Sequence, residues 1–216
     1  MALNNHFTIM NSVPLKESDL EFLKHKAVGV GEAPLTWTYF NRETLPLRNF
    51  TFWEWYYGIE EVVKKHCHGP WCDGLIAGFI SKKDAETTLI SKPSGSFLLR
   101  FSDSEIGGIS VAWVGDDRQV GKKVWHLQPW FSKDLMIRPL ADRLGDLPQL
   151  TFLHPNLPKD EVFGKYYSMR GGGSANQDYV RTSIAATVLM ENLKYESSSV
   201  FFLAFVAHFS LFLAYF

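Results

Sequence analysis

The stretch Gly95–Gly108, "GSFLLRFSDSEIGG", limits what this chain can fold into more than any other. Phe97, Leu98, Leu99 and Phe101 form a short apolar run suited to a buried strand, yet Arg100 stands inside it. Side chains alternate along a strand, so Phe97, Leu99 and Phe101 share one face while Leu98, Arg100 and Ser102 share the other. The first face is core. The second projects a guanidinium from a rigid element, and a buried arginine without an anion is too costly to keep. An internal carboxylate is one such anion and a bound phosphate is the other. The guanidinium fork matches two phosphate oxygens. Ser102 and Ser104 add hydroxyl donors, and the turn after the strand adds backbone N–H groups. Lys82 opens a predicted helix, whose N-terminus favours an anion. His126, in the third predicted strand, can stand near the same face. On spacing alone both anions stay open.

Helical signals precede this stretch. Ser18-Asp19-Leu20-Glu21 has capping-box spacing, followed by Leu20 and Leu23 as an apolar edge. Thr51-Phe52-Trp53-Glu54 repeats the box, and Trp53, Tyr56, Ile59 and Val63 follow at helical spacing as packing residues. "HGPWCDG" (68–74) reads as a turn cluster and a boundary. Ser81-Lys82-Lys83-Asp84 starts a short helix with Ala85, Leu89 and Ile90, which Pro93 and Gly95 end. Strands are expected at 96–102, 109–114 and 122–128, joined by hairpin-like turns. "SKDLMIRPLADRLGDL" then reads as one helix, with Ser132 as its cap and Leu140, Leu144 and Leu147 on one side. Helix, three antiparallel strands and helix make an α+β module of about a hundred residues. "SMRGGGSANQD" (168–178) is a flexible linker by composition, and Tyr179 follows it directly.

Composition excludes several functions. The 216 residues are 46% hydrophobic, enough for a real core, and the net charge of −1 makes no electrostatic case for a DNA-binding surface. Cys67 and Cys72 are too few for a disulfide framework and suggest a reducing compartment. The N-terminal residues lack the pattern of a signal peptide. "HCHGPWC" gathers His66, Cys67, His68 and Cys72, but adjacent ligands and a Gly-Pro interruption do not match a zinc-finger spacing, so no metal is expected. "GGGS" (171–174) has neither a strand before it nor a helix with a lysine after it, so it is no phosphate cradle. No nucleophile, base and orienter stand in a supporting motif, and neither an enzyme nor a cofactor is expected.

"GSFLLRFSDSEIGGISVAW" resembles the central strands of an SH2 domain, specifically that of the STAT family (signal transducers and activators of transcription). Upstream, "FNRETLPLRNFTFWEW" is similar to the helical linker domain that precedes SH2 in STATs. Downstream the similarity runs through "LADRLGDL" and "PKDEVFGKYY". The string looks most like the prolactin- and growth-hormone-responsive branch. The resemblance implies an SH2 fold, a small antiparallel sheet flanked by helices, behind a partial all-α linker domain. It divides the chain into linker (1–70), SH2 domain (71–168), phosphotyrosine tail segment (169–186) and an unmatched apolar tail (187–216).

By the same resemblance Arg100 falls on the arginine that grips phosphotyrosine, and Lys82 on the basic residue of the first SH2 helix. Ser102, Asp103 and Ser104 fall on the phosphate-binding loop, and His126 on a pocket-bordering position of the third strand. Tyr179 falls on the tyrosine that Janus-type kinases phosphorylate. The implied partners are phosphotyrosine peptides of cytokine receptors, a Janus-type kinase, and a second STAT chain held by reciprocal tail exchange. The implied location is the cytoplasm, then the nucleus after activation.

Departures set further expectations. The family's coiled coil and DNA-binding domain do not appear in the sequence, so this chain is not expected to bind promoter DNA alone. After Tyr179, "YVRTSIAATVLMENLKYE" drifts from the family pattern. Residues 200–216 are apolar but short for a membrane span. A membrane-anchored or dominant-negative SH2 adaptor, or an inert gene fragment, are the rival readings.

Overall fold

The computed structural model describes residues 2–28, 37–117 and 121–168. In the helical half, α1 (Ala2–Asn11), α2 (Glu17–Val28) and α3 (Trp37–Asn41) precede α4 (Phe52–Val62). Thr51 caps α4 as expected: its hydroxyl accepts from Glu54 N at 3.1 Å while the Glu54 carboxylate accepts from Thr51 N at 2.7 Å. Tyr56, Ile59 and Val63 are buried and Trp53 is half-buried. The box expected at Ser18 does not form. α2 begins at Glu17, and the Asp19 carboxylate accepts instead from Lys16 N at 3.0 Å and Phe79 N at 2.8 Å. Because the helix starts at Glu17, Ser18 lies inside its first turn and cannot act as the cap.

The 68–74 stretch is mostly helical rather than a turn cluster. α4 runs into a π-helical turn (Val63–Cys67) and then α5 (His68–Cys72). Pro70 is its third residue, where an N–H has no partner within the helix, so proline is tolerated. α6 (Lys82–Leu89) follows, capped by Ser81, whose hydroxyl accepts from Asp84 N at 3.0 Å.

Three main strands follow: β1 (Ser96–Phe101), β2 (Ile109–Asp117) and β3 (Gly121–His126). They pair antiparallel as expected, with Leu98 opposite Ala112 and Ala112 opposite His126. The helix expected after them is two helices, α7 (Ser132–Ile137) and α8 (Leu140–Gly145). Pro139 drives Arg138 out of the helical region to φ −143°, ψ 119°. Ser132 is not the cap; its hydroxyl meets His66 Nε2 at 2.6 Å. Two short strands, β4 (Phe152–Leu153) and β5 (Leu157–Pro158), were not expected. They complete a five-stranded sheet of order β3-β2-β1-β4-β5, mixed because β4 lies parallel to β1. α9 (Lys159–Phe163) and a 3-10 turn (Gly164–Tyr166) close the described part of the fold.

The sheet buries its two faces unequally. Phe97, Leu99 and Phe101 enter a large core with Phe7, Tyr56, Trp71 and Phe79, in which the Phe79 and Phe101 rings lie 4.8 Å apart. Leu98 enters a small core with Ala85, Leu89, Ala112, Val114 and Val124, under α6. The helical half is therefore packed into the same core as the sheet.

Candidate functional site

Arg100 leaves β1 on the small-core face and is 5% exposed. One guanidinium nitrogen, Nη1, donates to the Ile80 and Phe101 carbonyls at 3.2 Å, and approaches the Asp103 carboxylate at 3.5 Å, the outer limit of a hydrogen bond. Its Nε is buried and has no hydrogen-bond partner among the described residues. The internal carboxylate foreseen as one solution is thus a marginal contact to a partly exposed side chain. Backbone dipoles carry most of the remaining compensation.

The strand frame gathers cations on this face. Leu98, Ala112 and His126 form a row across three strands, so His126 lies on the Arg100 face, on the edge strand. Its Nε2 meets the Glu86 carboxylate at 3.0 Å, and its buried Nδ1 has no hydrogen-bond partner among the described residues. Burial pushes the His126 pKa down; Glu86 opposes this, while the charges of Lys82 and Arg100 add to it. Lys82 and Arg100 both act on this imidazole, which ties the three basic residues to one neighbourhood. Lys82 itself is exposed, at the first position of α6.

After β1 the chain makes a loop closed at its base by Ser102 N donating to Gly108 O at 2.8 Å. Ser104 N points to Ser102 Oγ at 3.4 Å, and the two hydroxyls are 3.4 Å apart. Side chains from the helical half hold this loop from behind. Trp55 Nε1 donates to Ser102 O at 2.8 Å, and Lys26 Nζ donates to Asp103 O at 2.7 Å. Lys26 also lies 4.4 Å from the centre of the Trp55 ring. Burial lowers the Lys26 pKa to about 8, with Asp103 resisting the shift and Arg48 adding to it.

Of the six residues named from sequence, Arg100 and His126 share one face of the sheet, Ser102, Asp103 and Ser104 lie in the loop after β1, and Lys82 stands at the start of α6. Tyr179 and the 200–216 tail lie outside the described residues. Sequence reasoning missed Glu86, whose signal was its place one helical turn after Lys82. It also missed Lys26, Trp55 and the Ile80 carbonyl, for which no local pattern exists. No group of His, Cys, Asp and Glu able to hold a metal occurs among the described residues. No helix among them is long and apolar enough to cross a membrane.

Comparison with known proteins agrees with this geometry. The family model for the linker domain of signal transducers and activators of transcription matches residues 1–56, and that for the SH2 domain matches residues 75–154. The human protein named signal transducer and activator of transcription 6 is 40% identical over 188 residues, 86% of this chain and 21% of that relative. The chain thus spans about a fifth of the length of the curated relative it matches. The match sets the family and does not single out the prolactin- and growth-hormone-responsive branch.

Proposed function

We propose, from the premise that this chain belongs to the STAT family and is an SH2 signalling protein, that Arg100 is the floor of a phosphotyrosine pocket. The observation that carries this reading is a buried guanidinium with an unpartnered Nε and only a marginal internal carboxylate. A phosphate dianion supplies the charge that backbone carbonyls cannot. Ser102, Asp103 and Ser104 form the loop around it, Lys82 closes it from α6, and His126 borders it from β3. Binding, not catalysis, is the chemistry of such a site.

The finer partners follow as parts of the same proposal. A Janus-type kinase phosphorylates Tyr179, adding nearly two negative charges. The phosphorylated tail enters the pocket of a second STAT chain, and reciprocal exchange makes a two-fold dimer. Before that, the pocket docks on phosphorylated cytokine-receptor tails. Activity then begins in the cytoplasm and moves to the nucleus. We assign promoter DNA to no residue of this chain.

Titration calorimetry with a peptide of residues 174–186 tests the pocket. The tyrosine-phosphorylated peptide should bind the full chain, while its unphosphorylated form and the Arg100→Ala variant should show no binding. Binding that ignores the phosphate overturns the reading. Dimerisation after kinase treatment should vanish in Tyr179→Phe; a dimer that persists refutes tail exchange.

A further inference from the structure

The loop after β1 is rich in serine and glycine, a composition that on its own leaves a loop mobile. A mobile loop must lose that freedom when it closes on an anion, and the loss weakens binding. Here two of its carbonyls are fixed from outside the SH2 domain. Trp55, buried in α4, holds Ser102 O; Lys26, on α2, holds Asp103 O and stacks on the same indole. The peptide bond is planar and trans, so a carbonyl fixed towards α2 and α4 turns the following N–H the opposite way. Those N–H groups belong to Asp103 and Ser104. The second points to Ser102 Oγ at 3.4 Å.

The far end of the loop passes close to α4. Gly107 adopts φ +60°, and a Cβ there would lie 2.8 Å from the Gly58 carbonyl on α4. The loop is thus bonded at its start by Trp55 and Lys26, and at its end it lies close against the α4 backbone.

We propose that Lys26 is a positioning residue for the phosphotyrosine pocket. With Trp55 it pre-sets the N–H groups of the 102–108 loop, so that the linker helices help to determine ligand affinity. Phosphopeptide binding is then a joint property of the linker and SH2 segments. The inference rests on the reading of Arg100 as a phosphate ligand.

The test uses the full chain and the tyrosine-phosphorylated 174–186 peptide. Lys26→Gln should weaken binding about three- to tenfold, less than the full worth of a charge-assisted hydrogen bond, because the lost bond holds the loop and not the ligand. Amides 102–108 should exchange faster in hydrogen-exchange mass spectrometry, with β2 and β3 unchanged. Lys26→Arg, which keeps both donor and charge, should restore affinity to within about twofold. Trp55→Phe, which keeps the ring and loses the N–H, should act in the same direction. Its effect should add less than fully to that of Lys26→Gln, because both hold one loop. Wild-type affinity in Lys26→Gln and in Trp55→Phe overturns this inference alone. No phosphate-dependent binding by the wild-type chain overturns the pocket, and the inference with it. Equal weakening in Lys26→Gln and Lys26→Arg, with loop exchange unchanged, also overturns it.

Discussion

On one face of β1, Phe97, Leu99 and Phe101 are at most 1% exposed and interlock with aromatic rings from the helical half. On the other face, Leu98 joins a core of small and medium side chains, and Arg100 follows two residues later with its charge poorly matched. The first face is packed for stability. The second gives up packing so that a guanidinium can stand on a rigid strand. A strand with period-two alternation can carry both tasks because neither face's side chains intrude on the other.

The largest effects should fall on the first face. Phe101→Ala removes a ring packed against Phe79 and Trp71, and should cost about 3–5 kcal/mol in denaturant unfolding. Leu98→Ala, on the small-core face, should cost less, about 2–3 kcal/mol, because α6 can settle towards the sheet. Equal losses would remove the asymmetry.

Asp19→Ala sharpens the comparison from the helical side. It strips the acceptor from Phe79 N beside Gly78, whose φ of +97° and close approach to Asp19 leave no space for a side chain. Thermal or denaturant melts should show a loss of about 1–3 kcal/mol.

These cases mark what was legible in the sequence. Alternation placed the two faces of β1, and the Thr51 box placed α4, because both signals lie within a few residues. The Ser18 box failed because α2 begins before Ser18, at Glu17, and there the Asp19 carboxylate takes Lys16 N while also reaching Phe79 N, sixty residues away in the chain. β4 and β5 are two residues each, too short to show a period. The charge on the small-core face was readable from Arg100 and the residues after it. The hold of Lys26 and Trp55 on the loop after β1 depends on a tertiary approach that no spacing encodes.

The smallest effect concerns Glu60, fully buried in the large-core face, with His6 Nδ1 at 2.8 Å. Burial raises its carboxyl pKa, and the His6 contact only partly opposes this. A raised pKa means that the folded state holds the proton more tightly than the unfolded chain. This group's contribution therefore falls as pH rises from the ordinary carboxylate range through the raised folded value. Glu60→Gln keeps an acceptor for His6 and removes the titration. Melts from pH 4 to 8 should show a flatter slope and a small gain in stability at neutral pH. An unchanged slope would mean that the Glu60 carboxyl titrates alike in the folded and unfolded states, and that burial does not shift it.

The central claim is that Arg100 is kept for a ligand and not for the fold. Arg100→Met fills a similar volume without the buried charge, and such exchanges are often neutral or stabilising. The deciding measurement pairs its melting temperature with its affinity for the tyrosine-phosphorylated 174–186 peptide. A variant that melts at or above wild type and has lost phosphate-dependent binding is the predicted result. A variant that still binds, or that unfolds, would show that Arg100 serves the structure.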